Sequence, residues 1–380
     1  HDVGDEVLRA VARRLSEVVS ENAFLARLGG DEFVALMTTS EKDAEDAALV
    51  LARKIMEKLA SPLFVGERAF NIGASIGVAL FPEADETELD ILRHADMALY
   101  LAKSQGRGGI QLYQPNLQAE ATNRLQIEEG LRRAIANDEL ELYFQPQVDV
   151  DGRMVGAEAL LRWHHPELGS VPPSSFIPVA EETGLIHEIG GWVFENSCAR
   201  LTSWLDSAIP FVGQLSINVC PWQFARPDFV SQVRRVLDEH GMDASRLMLE
   251  LTETALLYDL EEAVGKLRTL RSLGFGIALD DFGTGYSSLA YLKDLPLDKI
   301  KVDKAFVGEL VSTTEHPLVE SMIAIGHHMH LGVIAEGVET AAQAEILASL
   351  GCEHFQGYFF SHPLPEKRFT EWMKANSRSS

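Results

Sequence analysis

Most of this chain consists of apolar, β-rich segments that alternate with helical stretches. Eight such segments follow residue 138, and most are separated by sequence with helical periodicity. They are Leu140–Gln145, Val155–Leu161, Gln214–Val219, Leu247–Leu251, Phe275–Leu279, Lys299–Val302, Gly332–Ala335 and His354–Phe360. Eight strands that alternate with helices predict an α/β fold class and, within it, a closed (β/α)₈ TIM-like barrel.

The first two predicted strands differ from the others because only a short turn joins them. Residues 149–154 contain Asp151-Gly152, a dipeptide typical of tight turns. Parallel pairing needs a crossover of about a dozen residues or more. The spacing therefore predicts one antiparallel strand, paired through this turn, within the barrel.

Polar and acidic residues stand where several of these strands give way to a loop. They are Glu158, Asn218, Glu250, Asp280, Asp281, Lys301 and Glu336. In a (β/α)₈ barrel such positions converge at the carboxyl end, where enzymes of this fold keep their chemistry. An exposed loop acid is the alternative for any single residue. The occurrence of five oxygen donors at successive strand ends nevertheless favours a shared site; they are Glu158, Asn218, Glu250, Asp280 and Asp281.

The oxygen donors in this set predict a metal centre. Carboxylate and amide oxygens select Mg²⁺ or Mn²⁺. The adjacent acids Asp280 and Asp281 repel each other unless a cation lies between them. One carboxylate that bridges two ions is the usual arrangement for displacement at phosphorus, so we expect a site for two ions.

Lys301 alternates with apolar neighbours in the segment Lys299–Val302. On a barrel strand this pattern points Lys301 inward and Ile300 outward. The functional interpretation is that Lys301 orients an attacking water, and the alternative is a structural ion pair with Asp303 or Asp281. The glycines and serines of Asp281–Ser288 favour a tight loop shaped around a ligand.

The charge of the chain limits its partners. Acidic residues outnumber basic residues by 57 to 33, which gives a formal charge of −24. This argues against DNA, RNA or an anionic membrane surface as a partner. A phosphodiester can approach a carboxylate-rich pocket only with divalent metal between them.

The cysteine content predicts a reducing, cytoplasmic location. Cys198, Cys220 and Cys352 match neither a disulfide framework nor a zinc cluster. No apolar run reaches the roughly 18 to 20 residues that span a bilayer. Because the sequence begins at His1 without Met, we expect a piece of a longer protein, with room upstream for a sensor or a membrane anchor.

The first part of the chain predicts a smaller α/β domain. Apolar residues recur at helical spacing between Leu8 and Leu15, and strands at Ala23–Leu28 and Phe33–Met37 flank a Gly-Gly turn. Further predicted elements are a helix at Glu41–Leu59, strands at Arg68–Phe70 and Ile72–Leu80, and a helix at Leu89–Ser104. We assign residues 1–115 to this domain, 116–137 to a linker helix and 138–380 to the barrel.

Seven short motifs in chain order resemble those of the EAL phosphodiesterases that cleave cyclic di-GMP, a bacterial second messenger. They are Glu158-Ala159-Leu160, Ser216-Ile217-Asn218-Val219, Glu250-Leu251-Thr252-Glu253, Asp280 to Gly285, Lys301-Val302-Asp303, Ala335 to Glu339 and Gln356-Gly357-Tyr358. The resemblance extends from residue 125 to the end of the sequence. It implies hydrolysis of cyclic di-GMP to linear pGpG with two Mg²⁺ or Mn²⁺ ions, and a homodimer.

The resemblance also implies a role for each matching residue. One ion is held by Glu158, Asn218, Glu250 and Asp280, and Asp280 bridges to a second ion held with Asp281. Lys301 steadies the attacking water, and Glu253 braces the loop from Asp281 to Ser288. Glu336 and Gln356 are similar to residues that hold waters of the metal site or the ligand, with Glu336 the weaker candidate for a general base. The positions that match dinucleotide contacts are Gln145, Leu160, Arg162 and Pro363.

Two other functions remain open at this point. A noncatalytic receptor for cyclic di-GMP would be expected to lose metal ligands, and this sequence keeps the complete set. A net cyclase, or a bifunctional cyclase and phosphodiesterase in the longer protein, depends on the amino-terminal domain.

The turn Gly29-Gly30-Asp31-Glu32-Phe33 resembles the signature of GGDEF diguanylate cyclases. The matching positions of the family's nucleotide site are Asp5, Gly29, Gly30, Asp31, Glu32, Lys103 and Arg107. The family's first strand, which carries a metal ligand and a guanine contact, would precede His1. Residues 20–23 lack the inhibitory Arg-x-x-Asp, so no product inhibition is expected. The domain is therefore expected to be either a cyclase or a GTP-binding regulator.

Overall fold

The computed structural model describes residues 2–19, 23–40, 43–65, 68–70, 72–81, 88–104, 108–207, 211–257, 259–283, 292–310 and 316–376. The chain divides into two compact units, His1–Ile127 and Glu128–Ser380. No helix in these ranges has the length and apolar character needed to cross a membrane. The predicted domain limits at residues 115 and 138 stay predictions.

The first unit is an α/β domain, and its described residues form three two-stranded sheets. Its helices are α1 (Asp2–Ser16), α2 (Ala44–Ala60) and α3 (Glu88–Ser104), and its strands are β1 (Ala23–Gly29), β2 (Glu32–Met37), β3 (Leu63–Val65), β4 (Arg68–Phe70), β5 (Ile76–Val78) and β6 (Ile110–Leu112). The pairs β1–β2 and β3–β4 are antiparallel, and β5–β6 is parallel. The predicted hairpin around the Gly-Gly turn is confirmed. The sequence did not predict β3 and β6, and the predicted strand Ile72–Leu80 shortens to β5.

The second unit contains the strands of the barrel. They are β7 (Leu140–Asp149), β8 (Met154–His165), β9 (Gly169–Val171), β10 (Gln214–Val219), β11 (Leu247–Thr252), β12 (Gly276–Phe282), β13 (Lys299–Val302), β14 (Gly332–Ala335), β15 (His354–Phe355) and β16 (Leu364–Pro365). Eight of them close in the order β7, β8, β10, β11, β12, β13, β14, β15, and β15 pairs back to β7. The predicted TIM-like barrel is confirmed.

Helices cover the outside of the barrel. After α4 (Pro115–Ala134), which includes residues of both units, they are α5 (Pro173–Thr183), α6 (Ile186–Leu205), α7 (Pro221–Ala225), α8 (Phe229–His240), α9 (Glu253–Leu257), α10 (Leu260–Leu273), α11 (Lys304–Gly308), α12 (Pro317–His328), α13 (Ala341–Ser349) and α14 (Glu366–Asn376). Aromatic rings from β7, α6 and α14 pack between the strands and these helices. The Trp204 ring lies 4.7 Å from Phe144 and 5.1 Å from Phe369, centroid to centroid.

Strand β7 is the antiparallel strand that the short turn predicts. Asp149 Oδ1 accepts hydrogen bonds from the backbone N–H of Asp151 and of Arg153, both at 2.9 Å, and Gly152 has a φ of 76°. These contacts hold the turn that reverses the chain. Because β7 is reversed, it is antiparallel to β15 as well as to β8, so the barrel has two antiparallel pairs where the sequence predicted one.

The last strand of the barrel is shorter than predicted. The apolar run His354–Phe360 forms a strand only at His354–Phe355, and residues 357–360 turn instead. The Ser361 N–H donates to the Gly357 carbonyl at 3.1 Å, a turn contact that ends the extended chain. A run of aromatic residues reads as a strand by its β propensity, but the local backbone contacts decide otherwise here.

Strand register brings the polar strand ends together. Glu158 lies opposite Gln145 in the antiparallel pair, and Asn218 lies level with Glu250 in the parallel pair. Asp280 follows as the partner of Thr252. The carboxyl ends of the parallel strands therefore place these side chains around one end of the barrel.

Candidate active site

A single lysine lies among four carboxylates inside the barrel. Lys301 is 1% exposed. Its Nζ lies 2.5 Å from Glu250 Oε2, 2.6 Å from Glu336 Oε1, 3.2 Å from Asp280 Oδ1 and 3.6 Å from Glu158 Oε2. The inward direction predicted from alternation along β13 is confirmed. Because the partners come from other strands, Lys301 links one side of the barrel to the other.

Glu158 is held by two amides. Its Oε1 accepts from Asn218 Nδ2 at 2.5 Å, and its Oε2 accepts from Gln356 Nε2 at 2.5 Å. Since a carboxylate only accepts, Asn218 must turn its amide nitrogen toward Glu158. The Oδ1 atom of Asn218 then remains available as an oxygen ligand.

The adjacent acids at the end of β12 have an unusual backbone. Asp281 has a φ of 54°, and its N–H donates to Asp280 Oδ1 at 3.0 Å. The pairing of β12 with β13 shifts between Leu279 and Phe282. This irregularity re-aims the two carboxylates. Ligand atoms of Asp280, Asp281 and Glu336 lie within 4.8 Å of one another, as in a metal site.

Burial and mutual repulsion shift the pKa values of these acids upward. Burial raises the pKa of Glu250 to about 8, with Lys301 opposing and the neighbouring carboxylates adding to it. Burial and the charge of Asp280 raise the pKa of Asp281 to about 6. Burial disfavours the charge of Lys301, but the surrounding carboxylates outweigh it and hold its pKa well above the usual value.

The pKa of Glu336 is raised well above the usual value, first by burial and against the opposing charge of Lys301. If all were ionised, the carboxylates at this end of the barrel would carry more negative charge than Lys301 neutralises. Such upward shifts are the response of buried acids that lack a sufficient counter-charge.

The residues fit a divalent cation. The buried Oε1 of Glu250 has no hydrogen-bond partner among the described residues, and a buried acceptor without a partner is costly. The donors are carboxylate and amide oxygens, the ligand class of Mg²⁺ and Mn²⁺. An acidic site suited to a divalent ion is therefore present.

Glu253, at the start of α9, contacts the loop that follows β12. Its Oε1 accepts from the Gly283 N–H at 3.3 Å, and the side chain is buried. Residues 284–288 of the predicted ligand loop lie outside the described residues.

The predicted dinucleotide contacts lie on β7, β8 and the segment before β16. Gln145 Nε2 donates to the Ser361 carbonyl at 3.0 Å, which places it beside the chain that leads to Pro363. Leu160 pairs with Tyr143 across β7 and β8, and the Arg162 guanidinium lies 5.4 Å from the Tyr143 ring centroid. Leu160, Arg162 and Pro363 are half-buried, and Arg162 interacts electrostatically with Glu158.

The predicted nucleotide residues of the first unit are on its surface. Asp5 of α1, Lys103 of α3, and the turn residues Asp31 and Glu32 are exposed. Gly30 has a φ of 50°, a conformation that favours glycine, and Arg27 donates from Nε to its carbonyl at 2.9 Å. Gly29 ends β1. Arg107 lies outside the described residues.

Comparison with known proteins decides the family. The sequence model described as "EAL domain" matches residues 128–363. This chain belongs to the EAL domain family. The model described as "Diguanylate cyclase, GGDEF domain" matches residues 1–109, so the EAL barrel follows a GGDEF region.

Relatives align with this chain over nearly its whole length. The chain is 40% identical over 370 residues to the bifunctional diguanylate cyclase/cyclic di-GMP phosphodiesterase MucR of Pseudomonas aeruginosa, covering 97% of this chain and 53% of MucR. It is 38% identical over 377 residues to the cyclic di-GMP phosphodiesterase NbdA of the same organism, covering 99% of this chain and 48% of NbdA. The chain thus spans about half the length of these curated relatives.

A solved EAL structure matches the barrel. The structure of the PaMucR phosphodiesterase in complex with c-di-GMP has 41% sequence identity and a TM-score of 0.62. The match covers 64% of this chain and 99% of that chain.

Two residues near the EAL site, the half-buried Asp303 and the buried Gln147, were not among the site residues predicted from the sequence. Asp303 makes a side-chain hydrogen bond with Asp281 and also caps α11, where its Oδ1 accepts from the Ala305 N–H at 2.9 Å. Gln147 is 1% exposed and donates to Gln356 Oε1 at 3.0 Å. The available signals were the acid two positions after Lys301, and the period-two spacing of Gln147 from Gln145, which puts both on the inward face.

Proposed function

We propose that the barrel hydrolyses cyclic di-GMP to linear pGpG with two Mg²⁺ or Mn²⁺ ions. The observation that carries this proposal is the set of oxygen donors gathered around Lys301 at the carboxyl end of the barrel. The names of NbdA and of the PaMucR complex support the choice of substrate. The complete set of predicted metal ligands supports an enzyme rather than a noncatalytic receptor.

In this proposal the chain's acids hold two divalent ions. Divalent ions supply positive charge that stabilises the phosphoryl transition state. The first ion is assigned to Glu158, Asn218, Glu250 and Asp280, and the second to Asp280 and Asp281. The amide nitrogen of Asn218 faces Glu158, which leaves its oxygen for the first ion.

Lys301 acts as a donor rather than as a base. Because its pKa is held well above the usual value, it keeps its proton at neutral pH. Its three N–H bonds can hold both the acids and an attacking water, and so orient that water toward phosphorus. Glu336 holds Lys301 at 2.6 Å, and Gln356 holds Glu158. Glu253 braces the loop after β12 through Gly283.

The substrate side of the site is assigned to Gln145, Leu160, Arg162 and Pro363. Arg162 presents a planar fork that suits a phosphate, and its position over Tyr143 limits its motion. Gln145 lies on β7 and donates to the Ser361 carbonyl. Because β16 pairs with β7, Pro363, directly before β16, also lies beside this strand. In this proposal they hold the dinucleotide against the oxygen-rich end.

The test is a hydrolysis assay with product identification. Incubation with cyclic di-GMP and Mn²⁺ is expected to yield pGpG, EDTA to abolish it, and added Mn²⁺ to restore it. Asp280→Asn and Glu158→Ala are expected to lose metal and hydrolysis while ligand binding is affected less. Asp151→Asn, an exposed acid on the distant β7–β8 turn, is the charge-matched control and is expected to act as wild type. Binding of cyclic di-GMP by calorimetry without any pGpG would decide for a receptor.

A second proposal concerns the first unit, and the GGDEF match at residues 1–109 supports it. We propose that GTP binds near Asp31 and Glu32 and changes the rate of the barrel in the full-length protein. Equal hydrolysis rates with and without GTP would contradict this regulatory role, and formation of cyclic di-GMP from GTP favours a cyclase instead.

Association into a homodimer stays a prediction.

A further inference from the structure

A buried glutamine outside the EAL motifs lies directly behind the proposed metal ligands. Gln147 points into the barrel from β7 and is 1% exposed. It lies opposite Gly156, where an added Cβ would come within 3.1 Å of Gln147 Oε1. The small residue on β8 therefore leaves room for the amide. A buried amide must find partners, because leaving one unpaired costs about 1–3 kcal/mol.

Gln147 begins a chain of hydrogen bonds that reaches both sides of the site. Gln147 Nε2 donates to Gln356 Oε1 at 3.0 Å. Gln356 Nε2 donates to Gln145 Oε1 at 3.2 Å and to Glu158 Oε2 at 2.5 Å. Gln145 Nε2 then donates to the Ser361 carbonyl at 3.0 Å. One amide, that of Gln356, thus connects a proposed metal ligand with a proposed substrate contact.

The chemistry of the two ends fixes the direction of every bond in this chain. The Glu158 carboxylate and the Ser361 carbonyl can only accept. Gln145 must therefore turn its nitrogen to Ser361 and its oxygen to Gln356. Gln356 must turn its nitrogen toward Glu158 and Gln145, which leaves its oxygen facing Gln147. That oxygen then needs a donor, and Gln147 Nε2 provides it.

We propose that Gln147 is a positioning residue that fixes the amide orientation of Gln356 and, through it, the orientation of Glu158 toward the cation. The inference rests on the proposed function, because it assigns Glu158 as a metal ligand. Without the donor at position 147, the buried Gln356 oxygen has no partner, so the orientation that Glu158 and Gln145 favour loses stability relative to a turned amide. A turned amide would present oxygen to the Glu158 carboxylate, and the two acceptors repel. Partners behind a metal ligand typically change metal affinity by about 10- to 100-fold.

The test compares Gln147→Leu with a matched variant, Gln214→Leu. Gln214 also lies on a barrel strand, and its Nε2 donates to the Ser245 carbonyl at 3.1 Å, outside the chain that reaches Glu158. Each variant removes one amide hydrogen bond. Mn²⁺ affinity is measured by calorimetry without substrate, and urea unfolding is measured without metal. We expect both variants to lose unfolding free energy, but only Gln147→Leu to weaken Mn²⁺ binding by about 10-fold or more.

The inference fails, and the proposed function stands, if Gln147→Leu and wild type bind Mn²⁺ equally well. The same holds if Gln147→Leu and Gln214→Leu weaken Mn²⁺ binding equally. A wild-type protein that binds no Mn²⁺ overturns the inference and the proposed function together. A wild-type protein that binds Mn²⁺ without hydrolysing cyclic di-GMP overturns the proposed function, and the comparison of the two variants still decides the inference.

A second variant serves if Gln147→Leu does not fold. Gln147→Met keeps most of the length of the side chain but has no N–H to donate. We expect it to weaken Mn²⁺ binding by about 10-fold or more relative to wild type, and Gln214→Met to leave it unchanged. Unchanged Mn²⁺ affinity in the folded Gln147→Met variant, or equal weakening in both methionine variants, overturns the inference.

Discussion

At the scale of single residues, Lys301 shows that side-chain alternation along a strand predicts the direction of a side chain but not its contacts. The pattern Lys299–Val302 predicts that Lys301 points inward and Ile300 outward, and both are buried on opposite faces of β13. The contacts with Glu250 and Glu336 were beyond such a pattern, because they depend on register and shear around the whole barrel. Gln147 was missed for a related reason. Its partner, Gln356, follows β15 and is 209 positions away along the chain.

Replacement of Lys301 tests its role as a donor. Lys301→Met keeps much of the length but removes the charge and the three N–H bonds. We expect kcat to fall by about 10²-fold or more while KM changes by less than about threefold, because the lost interaction acts on the attacking water. Steady-state kinetics on cyclic di-GMP measure this, with the exposed Lys293→Met as control. A large rise in KM with unchanged kcat would assign Lys301 to substrate binding instead.

The raised pKa values predict how metal and pH act together. Without metal, folded Glu250 keeps its proton up to about pH 8, whereas an unfolded carboxyl releases it near pH ~4.3. The metal-free free energy of unfolding therefore falls as pH rises between these values. A bound cation needs the ionised form, so the increase in Tm caused by Mg²⁺ is expected to grow from pH 6 to pH 8. Thermal unfolding with and without Mg²⁺ checks this, and Glu250→Gln should flatten the dependence.

At the scale of elements, the order and type of the barrel strands followed from the sequence, but their ends did not. Apolar runs and turn signals were enough for β10, β13 and β14, whose predicted limits match the structure. The shortening of β15 and the left-handed backbone of Asp281 depend on contacts with neighbouring segments. Strand ends therefore needed the structure, although they carry the chemistry.

The packing of α12 against the barrel can be tested with alanine substitutions at two glycines, one on α12 and one on α10. We expect the free energy of unfolding to change in opposite directions at the two positions. At Gly326 an added Cβ would lie 2.5 Å from Val333 Cγ2 and 3.0 Å from Ile300 Cδ1. Gly326→Ala is therefore expected to lower the free energy of unfolding by about 1–3 kcal/mol. Gly265 of α10 has open space around it, so Gly265→Ala is expected to raise it by roughly 0.5–1 kcal/mol. Urea unfolding measures both, and equal effects would contradict the packing described for α12.

At the scale of the whole molecule, the net charge of −24 predicted that metal must accompany any phosphate ligand. The acids responsible for the site are only a few of the 57 acidic residues, and their gathering depends on barrel closure. The motifs indicated the family, and the EAL match at residues 128–363 bears this out. The sequence could not supply the distances, burial and pKa shifts that distinguish these acids from the others.

We expect Mg²⁺ to slow hydrogen exchange in only one of the two units, the barrel. The proposed ligands all belong to Glu128–Ser380. Hydrogen exchange followed by mass spectrometry is expected to show slower exchange with Mg²⁺ in peptides that contain Glu250 or Asp280, because binding disfavours local opening. Peptides from α2 (Ala44–Ala60), which carries none of the predicted nucleotide residues, are the internal control and are expected to be unchanged. Equal slowing in both units would contradict a metal site within the barrel alone.

Crystals soaked in Mn²⁺ provide the most direct measurement of the central claim. An anomalous difference map is expected to show one peak among Glu158, Asn218, Glu250 and Asp280, and a second beside Asp280 and Asp281. A map without ion density there, with Asn218 or Glu250 turned away from Asp280, would contradict the account.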